Sequence, residues 1–463
     1  MYIIILIIYH IPIILNNIII DKKLLMCYYT VKVFTFGGII LQDLNTNHTR
    51  YKKGRHTHFL FLASVPVSFI ILAFLLDTPK NIFPGLYRII LAPDNLLTDY
   101  LEVGGFGATL LNVSLISLMN IFILYKLELK LSGTVIAAVF TSIGFSFFGK
   151  TIFNILPMYL GGILYAKYNK IPFRNIITTI MFSTCLAPVV SQLAFSSGMP
   201  IYAGLVWGIL FGIIAGFLIT PLSKNMYRLH DGHNLYNVGF TAGIIGIFAN
   251  SIMKSFGINI EQQLILSNEY DSFFKLYLLI IFILFIALGY IINGKSFKGY
   301  GKITSSSGKL PTDYVELTGY GLTLINMGTM GLICMSFVFL TSGVYNGPII
   351  GGILTVAGFA AIGNHPGNSI PIMIGVFIGG IFKVWDIQST PVIISGIFGT
   401  TLAPIAGTYG FYAGILAGFI HLSVTMNVGV VHGGTNLYNN GFAGGLVASV
   451  LFTLFESLKN KSK

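Results

Sequence analysis

Two uncharged stretches set the terms for this chain: Leu317 to Phe382, 66 residues, and Ile387 to Phe455, 69 residues. No water-soluble core accounts for uninterrupted runs of that length. An α-helical membrane crossing takes roughly 20 apolar residues, so each run holds about three. Charged residues make up 9% of the 463 positions and the mean hydropathy is +0.82, against about 25% charged in a soluble domain. Transmembrane β-barrels alternate polar and apolar residues in segments of about ten, and these runs do not. The fold class is therefore an all-α polytopic membrane protein whose first partner is the lipid bilayer. The net charge of +12 does not point to nucleic acid, because the basic residues sit in short loops between apolar spans. Three single cysteines, Cys27, Cys185 and Cys334, form no disulfide framework.

Apolar runs place spans near 58–77, 105–125, 131–148, 152–166, 174–193, 201–222 and 234–254. A second set falls near 274–293, 319–340, 347–363, 369–382, 390–407, 410–428 and 437–455. The pieces at 152–166 and 369–382 are short and read as candidates for re-entrant half-helices. The organisation is an extension (1–57), a first repeat (58–256), an extracytoplasmic linker (257–273), a second repeat (274–456) and a basic cytoplasmic tail (457–463). The extension has no basic n-region or cleavage site, so it is a poor signal peptide. It reads as an extra span, an interfacial segment, or sequence ahead of a start near Met26.

The two sets are copies. Thr98 to Asn112 aligns with Thr312 to Asn326 as TDYxExxGxGxTLxN, nine identities in fifteen. Gly149, Asn154, Pro157 and Gly161 match Gly363, Asn368, Pro371 and Gly375. Leu186-Ala187-Pro188 matches Leu402-Ala403-Pro404. His230 to Phe240 matches His432 to Phe442 as HxGxNLYNxGF. Seven segments per copy is odd, so the second copy enters the membrane inverted. Alternating sides from a cytoplasmic start puts 21 of the 27 basic residues inside, which is the positive-inside asymmetry. The outer side receives Lys80, Arg88, Lys150, Lys254, Lys275 and Lys383.

Inverted repeats place a substrate path near the midplane between the copies, where broken helices expose backbone groups. The repeated motifs supply the candidates. Asp99 and Glu102, with Asp313 and Glu316, share a helix face at the edge of a span. They read either as acids favouring a helix start or as a pair coupling transport to a cation or proton. The amides and phenols Asn112, Asn326, Asn234, Tyr236, Asn237, Asn436, Tyr438 and Asn439 read either as interhelical bonding or as a path lining. Asn154/Pro157 and Asn368/Pro371 fit an unwound element or an ordinary kink. His421 reads first as an interhelical donor. His230 and His233 do not make a metal site, since Thr435 replaces the second histidine and no cysteine or carboxylate cluster completes one. No catalytic set and no cofactor motif is found; the stretch Gly299 to Lys309 lacks the glycine and hydroxyl of a P-loop.

Both motifs, each present twice in a chain of this length, resemble the uncharacterised bacterial membrane family catalogued as domain of unknown function 1576, over about residues 58–456. The resemblance implies a multi-pass protein of the bacterial plasma membrane and supplies no substrate. A fainter likeness is to urea transporters, carried by Gly232-His233-Asn234-Leu235-Tyr236-Asn237. The functional expectation is a non-enzymatic transporter or channel for a small polar solute or cation. It rests on the repeated amides and on the absence of Lys or Arg deep in a span. A membrane-embedded enzyme or a non-transporting subunit is the alternative, and homo-oligomer formation is compatible with either.

Overall fold

The computed structural model describes residues 25–33, 51–260 and 263–461. The first copy runs α1 (Tyr51–Leu76), a surface helix α2 (Pro79–Leu91), the single turn α3 (Tyr100–Val103), α4 (Phe106–Lys126), α5 (Gly133–Phe145) and α6 (Ile152–Tyr168). A helix interrupted by a 3-10 turn follows as α7 (Ile177–Ser183) and α8 (Ala187–Phe195), then α9 (Ile201–His230) and α10 (Asn237–Ser255). The second copy repeats this order. Its elements are α11 (Asp271–Ile292), the short α12 (Gly301–Thr304) and α13 (Tyr314–Thr318), α14 (Tyr320–Leu340), α15 (Gly347–Phe359) and α16 (Pro366–Phe382). The interrupted helix α17 (Thr390–Gly399) and α18 (Ala403–Tyr409) comes next, followed by α19 (Phe411–Val428) and α20 (Asn439–Lys461). Ten helices among the described residues are long and apolar enough to cross a membrane. The seven-plus-seven pattern and its all-α character are present.

The centre of the molecule is the pair α5 and α15. Each has 13 residues, about 20 Å at 1.5 Å per residue, well short of a 30 Å hydrocarbon core. All of α15 is buried, as is all of α5 except Thr134. The two lie antiparallel and touch backbone to backbone. A Cβ on Gly144 would stand 2.3 Å from the Gly351 carbonyl oxygen, and one on Gly351 would stand 2.4 Å from that of Gly144. Glycine at both positions is what lets the short helices meet.

Here the structure corrects the expected position of the breaks. The half-length elements are α5 and α15, not the segments beginning near 152 and 369. Pro157 and Pro371 lie inside continuous 17-residue helices. Each proline sits in the second turn, where it removes one helical N–H bond, and faces a glycine, Gly212 or Gly414, of the next long helix. The chain turns just before, at residues 146–151 and 360–365.

Helix α2 has no sequence-level forecast. Its 13 residues are too few to span, and Lys80, Arg88 and Pro84 interrupt its apolar run. It buries Ile82, Gly85 and Ile89 and exposes Phe83 and Tyr87, the pattern of an interfacial helix. Of the N-terminal extension, 25–33 form a helix with Met26 and Thr30 buried. The expectations for residues 1–24 lie outside the described residues.

Candidate functional site

Both acidic motifs sit at helix starts, and each serves the other copy. Asp99 is the N-cap of α3, its Oδ1 accepting the Leu101 N–H at 2.9 Å. Its Oδ2 accepts the N–H of Gly347, the first residue of α15, at 3.0 Å, and that of Ser267 at 3.1 Å. Asp313 mirrors it. Oδ1 accepts Val315 at 2.9 Å and Glu316 at 3.2 Å, and Oδ2 accepts Gly133, the first residue of α5, at 2.8 Å. A carboxylate at this position satisfies the orphan N–H groups of a first turn and meets the positive end of the helix. Burial pushes the Asp99 carboxyl up to about 6, while the Gly347, Ser267 and Leu101 N–H groups pull it down. Glu102 and Glu316 point outward. Glu316 has Lys130 at 3.9 Å, both side chains about two-thirds exposed, a pair of little energetic weight. Since α5 begins at Asp313 and the antiparallel α15 begins at Asp99, the two motifs mark opposite ends of the central pair.

The paired amides at 112 and 326 hold the turns. Asn112 donates its amide hydrogens to the carbonyls of Ser146 and Lys150, both at 2.9 Å, and Asn326 donates to those of Ala360 and Asn364, both at 2.7 Å. Backbone unpaired at this depth would be costly, and one side chain from the preceding long helix pairs two carbonyls of each break. Asn154 and Asn368 close the same turns as capping residues of α6 and α16. Asn112 and Asn326 line neither of the cavities described below.

The two HxGxNLYNxGF motifs meet at the symmetry axis. Asn234 donates to the Gly441 carbonyl at 3.1 Å, and Asn436 to that of Gly239 at 3.2 Å. Asn237 accepts from His230 at 3.0 Å and donates to the Ser223 carbonyl at 3.0 Å. Asn439 accepts from His432 at 2.9 Å and donates to the Thr425 carbonyl at 3.1 Å. Phe240 stacks on Phe442 with ring centres 6.1 Å apart. The histidines thus orient asparagines. Among the described residues no cluster of three His, Cys, Asp or Glu is placed to hold a metal.

Two cavities flank this junction. One, of about 530 Å³, reaches the surface beside Pro311 and Glu316 and is walled by Tyr236, Asn237 and Tyr438. The other, of about 380 Å³, reaches the surface beside Gln263 and Leu264 and includes Asn439 in its wall. They are equivalent under the repeat: Leu310-Pro311 at the first mouth stands where Leu96-Leu97 stands at the second. The first mouth is at the Asp313 end of the central pair. The second is at the Asp99 end, where the Ile265 N–H donates to the Leu97 carbonyl. Phe398, Leu437 and Asn440 belong to both walls and form the septum between them. Asn234 and Asn436 line neither cavity.

Two buried charges escaped the sequence reading. Lys150, expected in an outer loop, is fully buried in the turn after α5. Its ammonium donates to the Tyr438 hydroxyl at 2.9 Å and lies 4.9 Å and 5.3 Å from the ring centres of Tyr438 and Phe145. Counting α5 as a full crossing carried Lys150 to the membrane surface; a 13-residue helix leaves it inside. The premise that no lysine lies deep is therefore overturned. Asp94 is likewise buried, accepting from Tyr100 at 2.8 Å, Asn154 at 2.9 Å and Ser191 at 3.0 Å. Aligning the copies offers the one available signal. Lys150 and Asp94 stand where the second copy has Asn364 and Gly308.

The sequence matches the DUF1576 family, described as protein of unknown function, over residues 78–255 and 292–457. The chain belongs to the DUF1576 family. The two matched regions coincide with the two structural copies, so this DUF1576 protein carries the family pattern across both halves. No curated protein and no solved structure matches the chain, and the fainter likeness to urea transporters finds no support there.

Proposed function

We propose that this protein moves a small polar solute across the bacterial plasma membrane, using the two cavities as alternately open vestibules. One observation carries the reading: symmetry-equivalent cavities approach each other from opposite ends of the central helix pair and stop at a shared wall of three side chains. Inverted repeats with broken central helices are built to exchange such vestibules. The larger cavity lies on the side of Lys130 and Lys309, assigned to the cytoplasm by the charge asymmetry, so the described state is open inward. The solute passes Tyr236 and Asn237 on one side and Asn439 on the other. No observation favours an enzyme or a non-transporting subunit over it.

The test is reconstitution of the full chain into liposomes. Thinning the septum by Leu437→Ala should turn a slow, saturable flux of small polar solutes into a faster, non-saturable leak. Equal permeability of empty, wild-type and Leu437→Ala liposomes to small neutral, cationic and anionic solutes would remove the transport reading.

A further inference from the structure

Six aromatic rings line the larger cavity, and they form three repeat-equivalent pairs: Phe145 with Phe359, Phe182 with Phe398, and Tyr236 with Tyr438. The distances between ring centres obey the same symmetry. Phe182 lies 5.8 Å from Phe359, which lies 4.4 Å from Tyr236. Their equivalents repeat the arrangement: Phe398 lies 5.4 Å from Phe145, which lies 4.5 Å from Tyr438. Tyr236 and Phe398 join the two triplets at 6.1 Å. Each triplet takes rings from both copies, so the belt straddles the interface at which inverted repeats keep a substrate. Rings that served the core alone would close on one another. All six border the same volume of about 530 Å³ instead.

Beyond the mouth, the polar part of this wall is uncharged. Thr141 and Thr355, a fourth equivalent pair, spend their hydroxyl hydrogens on the Ala137 and Gly351 carbonyls at 2.6 Å and 2.8 Å, which leaves them acceptors. Thr178 and Thr179 line the cavity half-buried, and among the described residues neither hydroxyl has a hydrogen-bond partner. The acids of the wall, Asp313 and Glu316, stand at the mouth. Both Asp313 oxygens are taken by backbone N–H groups, and Glu316 has Lys130 beside it. Among the described residues the smaller cavity has no charged side chain in its wall. An ion carried past such walls would leave water without a counter-charge, which is costly. A cation is opposed further by Lys150, which lines neither cavity but holds its ammonium 5.3 Å and 4.9 Å from the Phe145 and Tyr438 ring centres. A polyol fits poorly as well, because many of its hydroxyls would face ring carbon and stay unpaired. A flat ring with a short polar edge matches a wall of rings and a few hydroxyls.

We propose that the larger cavity binds an uncharged heteroaromatic molecule, its ring against the aromatic belt and its polar edge met by the threonine hydroxyls, and that this molecule is the solute of the pathway. The second half of the assignment rests on the transport reading; the binding site does not.

The experiment is thermal unfolding of the purified full chain in micelles, titrated with nicotinamide, adenine or cytosine. At least one of the three should raise the unfolding temperature saturably. Urea, glycerol and glucose should not, and neither should nicotinate or the methylnicotinamide cation, which carry the nicotinamide ring with a charge. Phe359→Leu should weaken half-saturation about fivefold, the loss of one ring contact, and Thr178→Val should weaken it severalfold. If Phe359→Leu does not fold, Phe182→Leu, whose ring is only partly buried, decides. Absence of saturable stabilisation by all three ring compounds overturns the proposal. So does unchanged half-saturation in both Phe182→Leu and Thr178→Val, or equal stabilisation by the charged rings. Liposome uptake separates the two readings. Ring binding in micelles without uptake of any solute keeps the site and removes transport. Uptake of urea or glycerol without ring binding removes the site and keeps transport.

Discussion

The Oδ2 atom of Asp99 takes the backbone N–H of Gly347 at 3.0 Å, across 248 positions of sequence and from one copy into the other. The reciprocal bond joins Asp313 to Gly133 at 2.8 Å, across 180 positions. Each central half-helix is started by a carboxylate from the opposite repeat.

Substituting Asp99 by Ala should therefore destabilise the protein by about 2–3 kcal/mol, because three N–H groups lose a charged acceptor. Asp313→Ala should cost less, being nearer the surface. Denaturation followed in micelles by far-UV circular dichroism measures both.

Glu102→Gln and Glu316→Gln should each change stability by less than about 0.5 kcal/mol and leave the sodium and pH dependence of any uptake unaltered. A shift in ion dependence with intact stability would restore the coupling role that the acidic motifs first invited.

Asn439→Leu removes an amide that accepts from His432 and donates to the Thr425 carbonyl. It should cost about 1–2 kcal/mol, with Asn237→Leu similar. Both proteins should insert and remain folded, and the flux per folded molecule reports how far each amide also acts as lining.

Gly144→Ala places a methyl 2.3 Å from the Gly351 carbonyl oxygen. The pair must separate, at a cost of about 1–3 kcal/mol or more. Gly105→Ala meets no atom within 4 Å but occupies φ +85°, so its penalty is conformational. Size-exclusion profiles and unfolding temperatures of the two variants should rank Gly144→Ala as the worse.

Orientation is readable by cysteine labelling. Arg228 and Val430 are repeat equivalents and both exposed, whereas Thr435 is buried and unsuited to the test. In a Cys27→Ser background, Val430→Cys should label from outside intact cells and Arg228→Cys only after permeabilisation. Cys185 and Cys334 are buried and silent.

The repeated motifs were legible because duplication shows them twice, and the alternation of basic loops revealed inversion through an odd segment count. What escaped was depth. An asparagine in an apolar helix reads the same whether it meets a solute or a carbonyl, so the sequence left Asn112 and Asn326 open to both, and the structure shows each donating to two backbone carbonyls. Lys150 looked like a loop residue because a hydropathy window cannot see that α5 stops after 13 residues. Asn440 follows a motif residue directly but lies at a position where the copies differ, which a search for identities passes over.

The exchanged caps also bear on the order of events during synthesis. The carboxylate that completes the first turn of α5 lies 180 residues further along the chain than the Gly133 N–H it accepts, so it is made long after that helix. The leading half must wait in the bilayer with an unfinished helix start until the trailing half arrives. Neither half, expressed alone, has its own replacement for the missing acid. Co-expressing the two as separate chains should recover a product that neither yields singly.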